Sequence, residues 1–215
     1  MFINQPQGVI YGYKAVGLWQ TKDTTSYRAF NANGNNFSPG FTRVADLNGD
    51  NKIDPNNDRQ IIGSTRPRWV VGMTNTVSYK NFDLSIFLYG RLGYLYNTGG
   101  EGEAGRGTQR QINYYNENNK NATYQKPVYN AGNASLDPYY AALGYLPASF
   151  IKIRNISLSY NTNSGYFKKA GFSNLRVYVQ VINPGMLYSQ IKFLDMDVMG
   201  PTWNRGFTLG VNASF

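Results

Sequence analysis

The stretch Arg68-Trp-Val-Val-Gly-Met-Thr-Asn-Thr-Val-Ser-Tyr-Lys-Asn-Phe-Asp-Leu-Ser-Ile-Phe-Leu-Tyr-Gly-Arg-Leu92 decides the fold. From Arg68 to Tyr79 the apolar residues Trp69, Val71, Met73, Val77 and Tyr79 share one parity, while Arg68, Gly72, Thr74, Thr76 and Ser78 share the other. Successive side chains of an extended chain point to opposite sides, so this alternation is the signature of a two-faced strand. Lys80 and Asn81 interrupt it. Phe82, Leu84, Ile86, Leu88 and Leu92 then resume it against Asp83, Ser85, Phe87, Tyr89 and Arg91. A long hairpin with a short turn is expected.

Three further segments carry the same period. Leu175, Val177, Val179 and Val181 alternate with Arg176, Tyr178 and Gln180. Trp203, Phe207, Leu209, Val211, Ala213 and Phe215 alternate with Asn204, Gly206, Thr208, Gly210, Asn212 and Ser214, up to the last residue. Between Phe150 and Tyr160 the apolar parity changes, from Ile151 and Ile153 to Ile156, Leu158 and Tyr160, which predicts a β-bulge near Arg154 and Asn155.

These strands run about 10 to 13 residues, against ~5 to 6 for an ordinary soluble strand and ~9 to 11 for one that crosses a membrane at a tilt. Trp69, Tyr79, Phe82, Tyr160, Trp203 and Phe215 stand at strand ends, where a membrane barrel carries its aromatic girdles. A soluble β-sandwich would bury the same faces, and periodicity alone leaves both open. The connections separate them. They alternate between short (Lys80 to Asn81, and Asn161 to Asn174) and long (Gln20 to Pro67, Gly93 to Ala148, and Asn183 to Thr202). Short turns at one end and long loops at the other are the pattern of an outer-membrane barrel, its long loops facing outward, and Phe215 would then end on the periplasmic side. The fold class read here is all-β, an antiparallel transmembrane β-barrel segment.

The chain of 215 residues has no Cys and no His, which removes thiolate nucleophiles, Ser-His-Asp triads, disulfides and imidazole or thiolate zinc cages. No pair of carboxylates is spaced for acid and base roles, so the chain is read as a non-enzyme. Abundant Asn with 23 Gly and 18 Tyr favours turns and aromatic strands over helices. The net charge of +9 is scattered, with only Arg66 and Arg68, Lys152 and Arg154, and Lys168 and Lys169 close together. No stripe tracks a phosphate backbone, and nucleic acid is not an expected partner. No apolar run reaches the ~20 residues of a membrane helix. Met1 to Gln7 shows no basic region followed by an apolar stretch, so no signal peptide is expected here. That leaves a cytoplasmic protein or a chain that is not a whole gene product.

A series of motifs has a family resemblance. Asp46-Leu-Asn-Gly-Asp-Asn-Lys-Ile-Asp54, Asp58-Arg-Gln-Ile-Ile-Gly63, Pro67-Arg-Trp, Gly72 and Ser78-Tyr-Lys-Asn-Phe-Asp-Leu-Ser85 resemble the C-terminal barrel region of SusC/RagA-type TonB-dependent transporters of Bacteroidota. So do Tyr11-Gly-Tyr-Lys14 with Gly17, Ala148-Ser-Phe-Ile-Lys-Ile-Arg-Asn-Ile-Ser-Leu-Ser-Tyr160, Leu175-Arg-Val-Tyr-Val179 and Phe207-Thr-Leu-Gly-Val-Asn-Ala-Ser-Phe215. Val181-Ile-Asn-Pro-Gly185 departs from the family's pattern.

The resemblance implies that residues 1–215 are the C-terminal part of a barrel of about 22 strands, with the plug domain and TonB box N-terminal to this chain. It implies an outer-membrane, TonB-driven importer of oligosaccharides or peptides, in a Gram-negative host, capped by a SusD-like lipoprotein. Its other partners would be outer-membrane lipid, TonB through the missing N-terminal part, and the barrel-assembly machinery. The alternative reading from another class is a soluble extracellular glycan-binding β-sandwich with structural calcium.

Candidate site residues fall in three groups. Asp46, Asn48, Asp50 and Asp54 occupy positions 1, 3, 5 and 9 of a loop similar to an EF-hand, with the Lys52 carbonyl at position 7. Asn51 takes the place of the usual Gly, and Asp58 comes one residue later than the closing carboxylate. This spacing predicts structural calcium, or else a cluster of Asx-turns that holds the loop without metal. The segment Tyr94 to Tyr145 carries Tyr94, Tyr96, Tyr114, Tyr115, Tyr124, Tyr129, Tyr139, Tyr140 and Tyr145. Tyr114, Tyr115, Tyr139 and Tyr140 are the candidates for stacking on a glycan or peptide, against the alternative of loop packing. Phe207, Leu209, Val211 and Phe215 line one face of the last strand and resemble the signal read by the assembly machinery.

Overall fold

The computed structural model describes residues 4–5, 7–98, 111–127, 137–162, 169, 171–199 and 204–215. The chain divides into two compact units, one of Met1–Arg66 with Tyr94–Pro147, the other of Pro67–Gly93 with Ala148–Phe215. Among the described residues the first holds β1 (Val9–Gly12), β2 (Ala15–Leu18), α1 (Thr24–Ala32), β3 (Thr42–Val44), β4 (Gln60–Ser64), β7 (Leu95–Asn97) and β8 (Tyr145–Pro147). The second holds β5 (Trp69–Tyr79), β6 (Phe82–Leu92), β9 (Phe150–Thr162), β10 (Asn174–Ser189) and β11 (Gly206–Ser214).

The second unit is one antiparallel sheet in the order β11-β10-β9-β6-β5, an up-and-down meander whose outer edges are unpaired among the described residues. The hairpin read from the sequence is present, with Tyr79 opposite Phe82 and Lys80 at φ +53° in the turn. The predicted bulge is also present. Phe87 faces Asn155 and Leu88 faces Ile153, so Arg154 is the extra residue on β9. The strand pairs across the sheet put like with like. Val77, Leu84, Leu158, Val179 and Leu209 form one row, and Thr76, Ser85, Ser157, Gln180 and Thr208 form another on the opposite face.

Two expectations need correction here. The third long connection begins after Ser189 rather than at Asn183, because β10 continues through Asn183-Pro184-Gly185. Asn183 takes φ +52°, and Ile182 and Gly185 face Asn155 and Ile153, so the strand absorbs Pro184 in a bulge where no ladder donor is needed. Asn204, expected in the last strand, precedes it, because β11 begins at Gly206, and Trp203 lies outside the described residues.

The first two segments read as long loops, before β5 and between β6 and β9, supply most of the first unit. Trp19, Phe30, Phe37, Phe41, Val44 and Ile53 form a buried cluster with Tyr13, Tyr27, Tyr139 and Ala142 packed against it. Trp19 is 1% exposed, and its ring lies 5.6 Å from Phe30 and 5.5 Å from Phe37. Polar side chains tie distant backbone together. The Asn35 amide accepts the N–H of Ile53 at 3.0 Å and donates to its carbonyl at 3.4 Å. Buried Asp137 accepts the Thr42 N–H at 2.7 Å and its hydroxyl at 2.6 Å. Gly40, at φ +87°, lets the backbone pass Tyr115 so closely that a Cβ there would sit 2.5 Å from the ring.

Candidate functional site

The loop from Asp46 to Asp58 is built by its own carboxylates. Asp46 accepts the N–H groups of Gly49 at 2.8 Å and Asn51 at 3.0 Å. Asp50 accepts the Lys52 N–H at 2.8 Å, and Asp54 accepts those of Asn56 and Asn57 at 2.8 and 2.9 Å. Asn51 adopts φ +58°, the left-handed conformation its position requires. Asp58, fully buried, closes the loop by accepting the Leu47 and Asp54 N–H groups, both at 2.8 Å. The N–H groups of Asn57 and Asn56 hold the Asp54 carboxyl below its ordinary range.

Hard oxygen donors are thus present, in a chain of Asx-turns that points them at backbone donors. Among the described residues no three of them gather into a group placed for a metal ion. A cation here would have to draw the Asp46 and Asp50 carboxylates off those N–H groups.

The candidate tyrosines separate. Tyr115 is buried beside Gly40, and its N–H donates to the Tyr124 carbonyl at 3.0 Å. Tyr114 is half-buried and bridged to Tyr124. Tyr139 packs edge-on to Tyr13, centroids 4.9 Å apart, and against Phe37 at 5.7 Å. Burial, with Tyr13 and Asp58 nearby, pushes its phenol up to about 12. Tyr140 is half-buried at the start of a short 3-10 turn. Packing therefore accounts for Tyr115 and for much of Tyr139, while Tyr129 lies outside the described residues. Tyr139 also lines a cleft of about 320 Å³ together with Tyr11, Tyr13, Arg59, Ile62 and Tyr145.

The sheet of the second unit has two chemically distinct faces. On one, Phe207, Leu209, Val77 and Val211 are 76%, 77%, 65% and 60% exposed, and Leu84, Leu158, Val177 and Val179 are exposed beside them. Tyr79, Phe82 and Tyr160 stand side by side at the short-turn end, with the last two rings 4.9 Å apart. Phe215, 87% exposed, meets Phe172 at 4.9 Å. A continuous exposed apolar face of this extent has to be covered by lipid or protein.

The other face is hydrogen-bonded. Ser78 donates to Asp83 at 2.6 Å, Asn161 donates to the same carboxylate, and Arg176 donates to Ser159 at 3.1 Å. Above the bulge, Lys152 Nζ lies 2.9 Å from Asp195 and 3.2 Å from Asp197, all three side chains almost fully buried. Arg154 adds two bonds to Asp197, at 2.9 and 2.8 Å, and its guanidinium lies 4.2 Å over the Tyr89 ring. Arg154 stands two residues beyond Lys152 on the same side of the strand, so both cations hold the segment that carries Asp195 and Asp197 onto the sheet.

This clamp was missed in the sequence reading. Its trace there is a pair of two-residue spacings, Lys152 with Arg154 and Asp195 with Asp197, 43 residues apart.

No family model matches the chain. Among curated proteins, TonB-dependent receptor P3 of Formosa agariphila is 28% identical over 177 residues, covering 80% of this chain and 17% of the relative. TonB-dependent receptor P39 of the same organism is 27% identical over 216 residues, covering 78% of this chain and 20% of the relative. Among solved structures, the RagAB peptide importer in its open-open state and the RagAB peptide transporter each match 100% of this chain and 24% of theirs. Their TM-scores are 0.60 and 0.58, at 14% and 15% identity, a likeness of fold. The chain spans about a fifth of the length of these curated relatives. TonB-dependent receptors are not enzymes, which agrees with the lack of a spaced acid and base in the sequence.

Proposed function

We propose that this chain, a segment of a SusC/RagA-type TonB-dependent transporter, supplies wall strands and outer loops of an outer-membrane barrel that imports oligosaccharides or peptides. The observation that carries this reading is the five-strand sheet, whose exposed apolar face and hydrogen-bonded polar face alternate residue by residue. A barrel wall has lipid outside and a polar lumen inside, whereas a sandwich would bury the apolar rows against a second sheet. The long connections all leave the sheet at one end, which supports their placement outside the cell, under a SusD-like lipoprotein. TonB would act through a part of the protein N-terminal to this segment. The two unpaired edges, β5 and β11, are where the remaining strands of about 22 would join.

In this reading the last strand is also the assembly signal. Phe207, Leu209, Val211 and Phe215 are presented along a free edge, available to pair by backbone hydrogen bonds while alternate side chains enter pockets. Fractionation of cells expressing the full-length protein tests both statements. The protein is expected in the outer membrane and to need detergent for release, and deletion of Phe215 is expected to lower its amount there more than it lowers the melting temperature of the purified barrel. Recovery of the intact protein in the soluble fraction overturns the transporter reading. Normal abundance with a lowered melting temperature assigns Phe215 to the aromatic girdle instead.

For the carboxylate loop we propose structural calcium, supported by the donor spacing and by the left-handed turn at Asn51. Calorimetry on the full-length protein is expected to show binding that Asp46→Ala or Asp50→Ala abolishes. No heat at millimolar calcium would leave the Asx-turns alone to hold the loop.

A further inference from the structure

The cleft in the first unit has an unusual balance of groups. Tyr11, Tyr13, Tyr139 and Tyr145 line it, and no carboxylate, amide or aliphatic hydroxyl residue does. Arg59 is the one charged side chain that lines it. The guanidinium lies 5.3 Å over the Tyr13 ring, and Arg59 is exposed and has no carboxylate partner among the described residues. Two buried carboxylates near Tyr139, Asp58 and Asp137, are engaged with other groups. Asp58 accepts two backbone N–H groups, and Asp137 accepts from Thr42 and from the Tyr139 N–H.

We infer that this cleft binds an acidic oligosaccharide, with Arg59 taking the anionic group of a sugar whose apolar ring face stacks on the tyrosines. A guanidinium presents a planar fork of donors that matches a carboxylate or sulfate, and it is worth more where aromatic walls displace water. The C–H face of a pyranose matches an aromatic ring, and sugar hydroxyls pair with phenol groups. An acidic peptide would bring an amide N–H and C=O with each residue, and the side chains of the lining offer few partners for them. The net charge of +9 draws anions toward the chain as a whole. The inference deepens the import reading and rests on it for the arrival of the ligand from outside the cell.

The test uses trigalacturonate, its fully methyl-esterified form, a sulfated galactose trisaccharide and triglutamate, each titrated by calorimetry into the full-length protein in detergent. Trigalacturonate or the sulfated sugar is expected to bind, and which of the two binds more tightly distinguishes a uronate from a sulfate as the natural anion. The ester is expected to bind at least about tenfold more weakly than trigalacturonate, and Arg59→Gln to weaken the acidic sugar by a similar factor, with partial recovery in Arg59→Lys. Arg59 is exposed, so these variants are expected to reach the outer membrane in normal amount, and Tyr13→Leu provides a second, uncharged probe of the same cleft. Failure of both acidic sugars to bind, equal affinity in the Arg59→Gln protein, or tighter binding of triglutamate overturns the inference. A normally located transporter without Arg59-dependent binding would defeat this inference alone. Arg59-dependent binding in a soluble protein would defeat the import reading alone.

Discussion

Replacement of Asp195 by Ala is expected to destabilise the folded protein by about 3 to 5 kcal/mol, the scale on which a buried ion pair is missed when one partner is removed. Lys152 and Asp195 are 1% and 2% exposed at their side chains, so the lysine left behind cannot recover its solvation from bulk water. Asp197 at 3.2 Å provides partial compensation, and for that reason Asp195→Ala with Asp197→Ala should cost clearly more than either change alone. A paired replacement, Lys152→Met with Asp195→Leu, is expected to cost far less than Asp195→Ala, because the charge and its counter-charge leave together. Arg154→Ala should be milder, since that side chain is 40% exposed and its loss leaves Asp197 paired with Lys152. Chemical unfolding of the full-length protein in detergent measures the series. Equal small losses for every variant would mean that the segment with Asp195 and Asp197 is held by Ile191 and Met196, both nearly fully buried, rather than by charge.

Arg substitution at Ile86 is expected to cost roughly 2 to 4 kcal/mol, and the same substitution one residue earlier, at Ser85, to be tolerated. Ile86 shares its face with Ile156 and Val181, and Ser85 shares the opposite face with Thr76 and Ser157. If lipid covers the apolar face, an arginine there must carry its charge into hydrocarbon, whereas at Ser85 it joins a row of hydroxyl and amide groups that already meet water. Folding into lipid vesicles, followed by the shift of the folded band on a gel, compares the two. Equal sensitivity at both positions would indicate protein packed on both faces and would favour the sandwich.

The long strands were legible because their information is local. One face apolar and one face polar, at a period of two, is a property of consecutive residues, and Trp69 to Leu92 can be assigned without knowing any other part of the chain. The bulge at Arg154 was legible for the same reason, since a parity change between Ile153 and Ile156 has few other local causes. The meander followed from the short turn at Lys80 and the lengths of the connections. The extension of β10 through Pro184 was not legible, because proline and asparagine in sequence argue for a turn, and only the neighbouring bulge on β9 supplies a register in which they fit.

The first unit marks the boundary of what sequence determined. Its Asn and Gly residues read as turns, and its Tyr residues as stacking on a ligand or packing loop on loop. The tertiary structure instead gathers Trp19, Phe30 and Phe37 from separate stretches into one core and uses Asn35 and Asp137 to satisfy backbone groups of Ile53 and Thr42. Which tyrosine packs and which lines a cleft depends on those contacts, because burial is decided by neighbours distant in sequence and leaves no periodic trace. The clamp of Lys152 and Arg154 on Asp195 and Asp197 is of the same kind. The charges are visible in the sequence, but their partnership exists only once the chain has turned back on itself through β10. By itself the sequence determined the two-faced strands, their order and the carboxylate spacing. The tertiary structure decided which polar groups meet, because a two-faced strand is specified by adjacent residues and a buried polar contact by the return of a remote one.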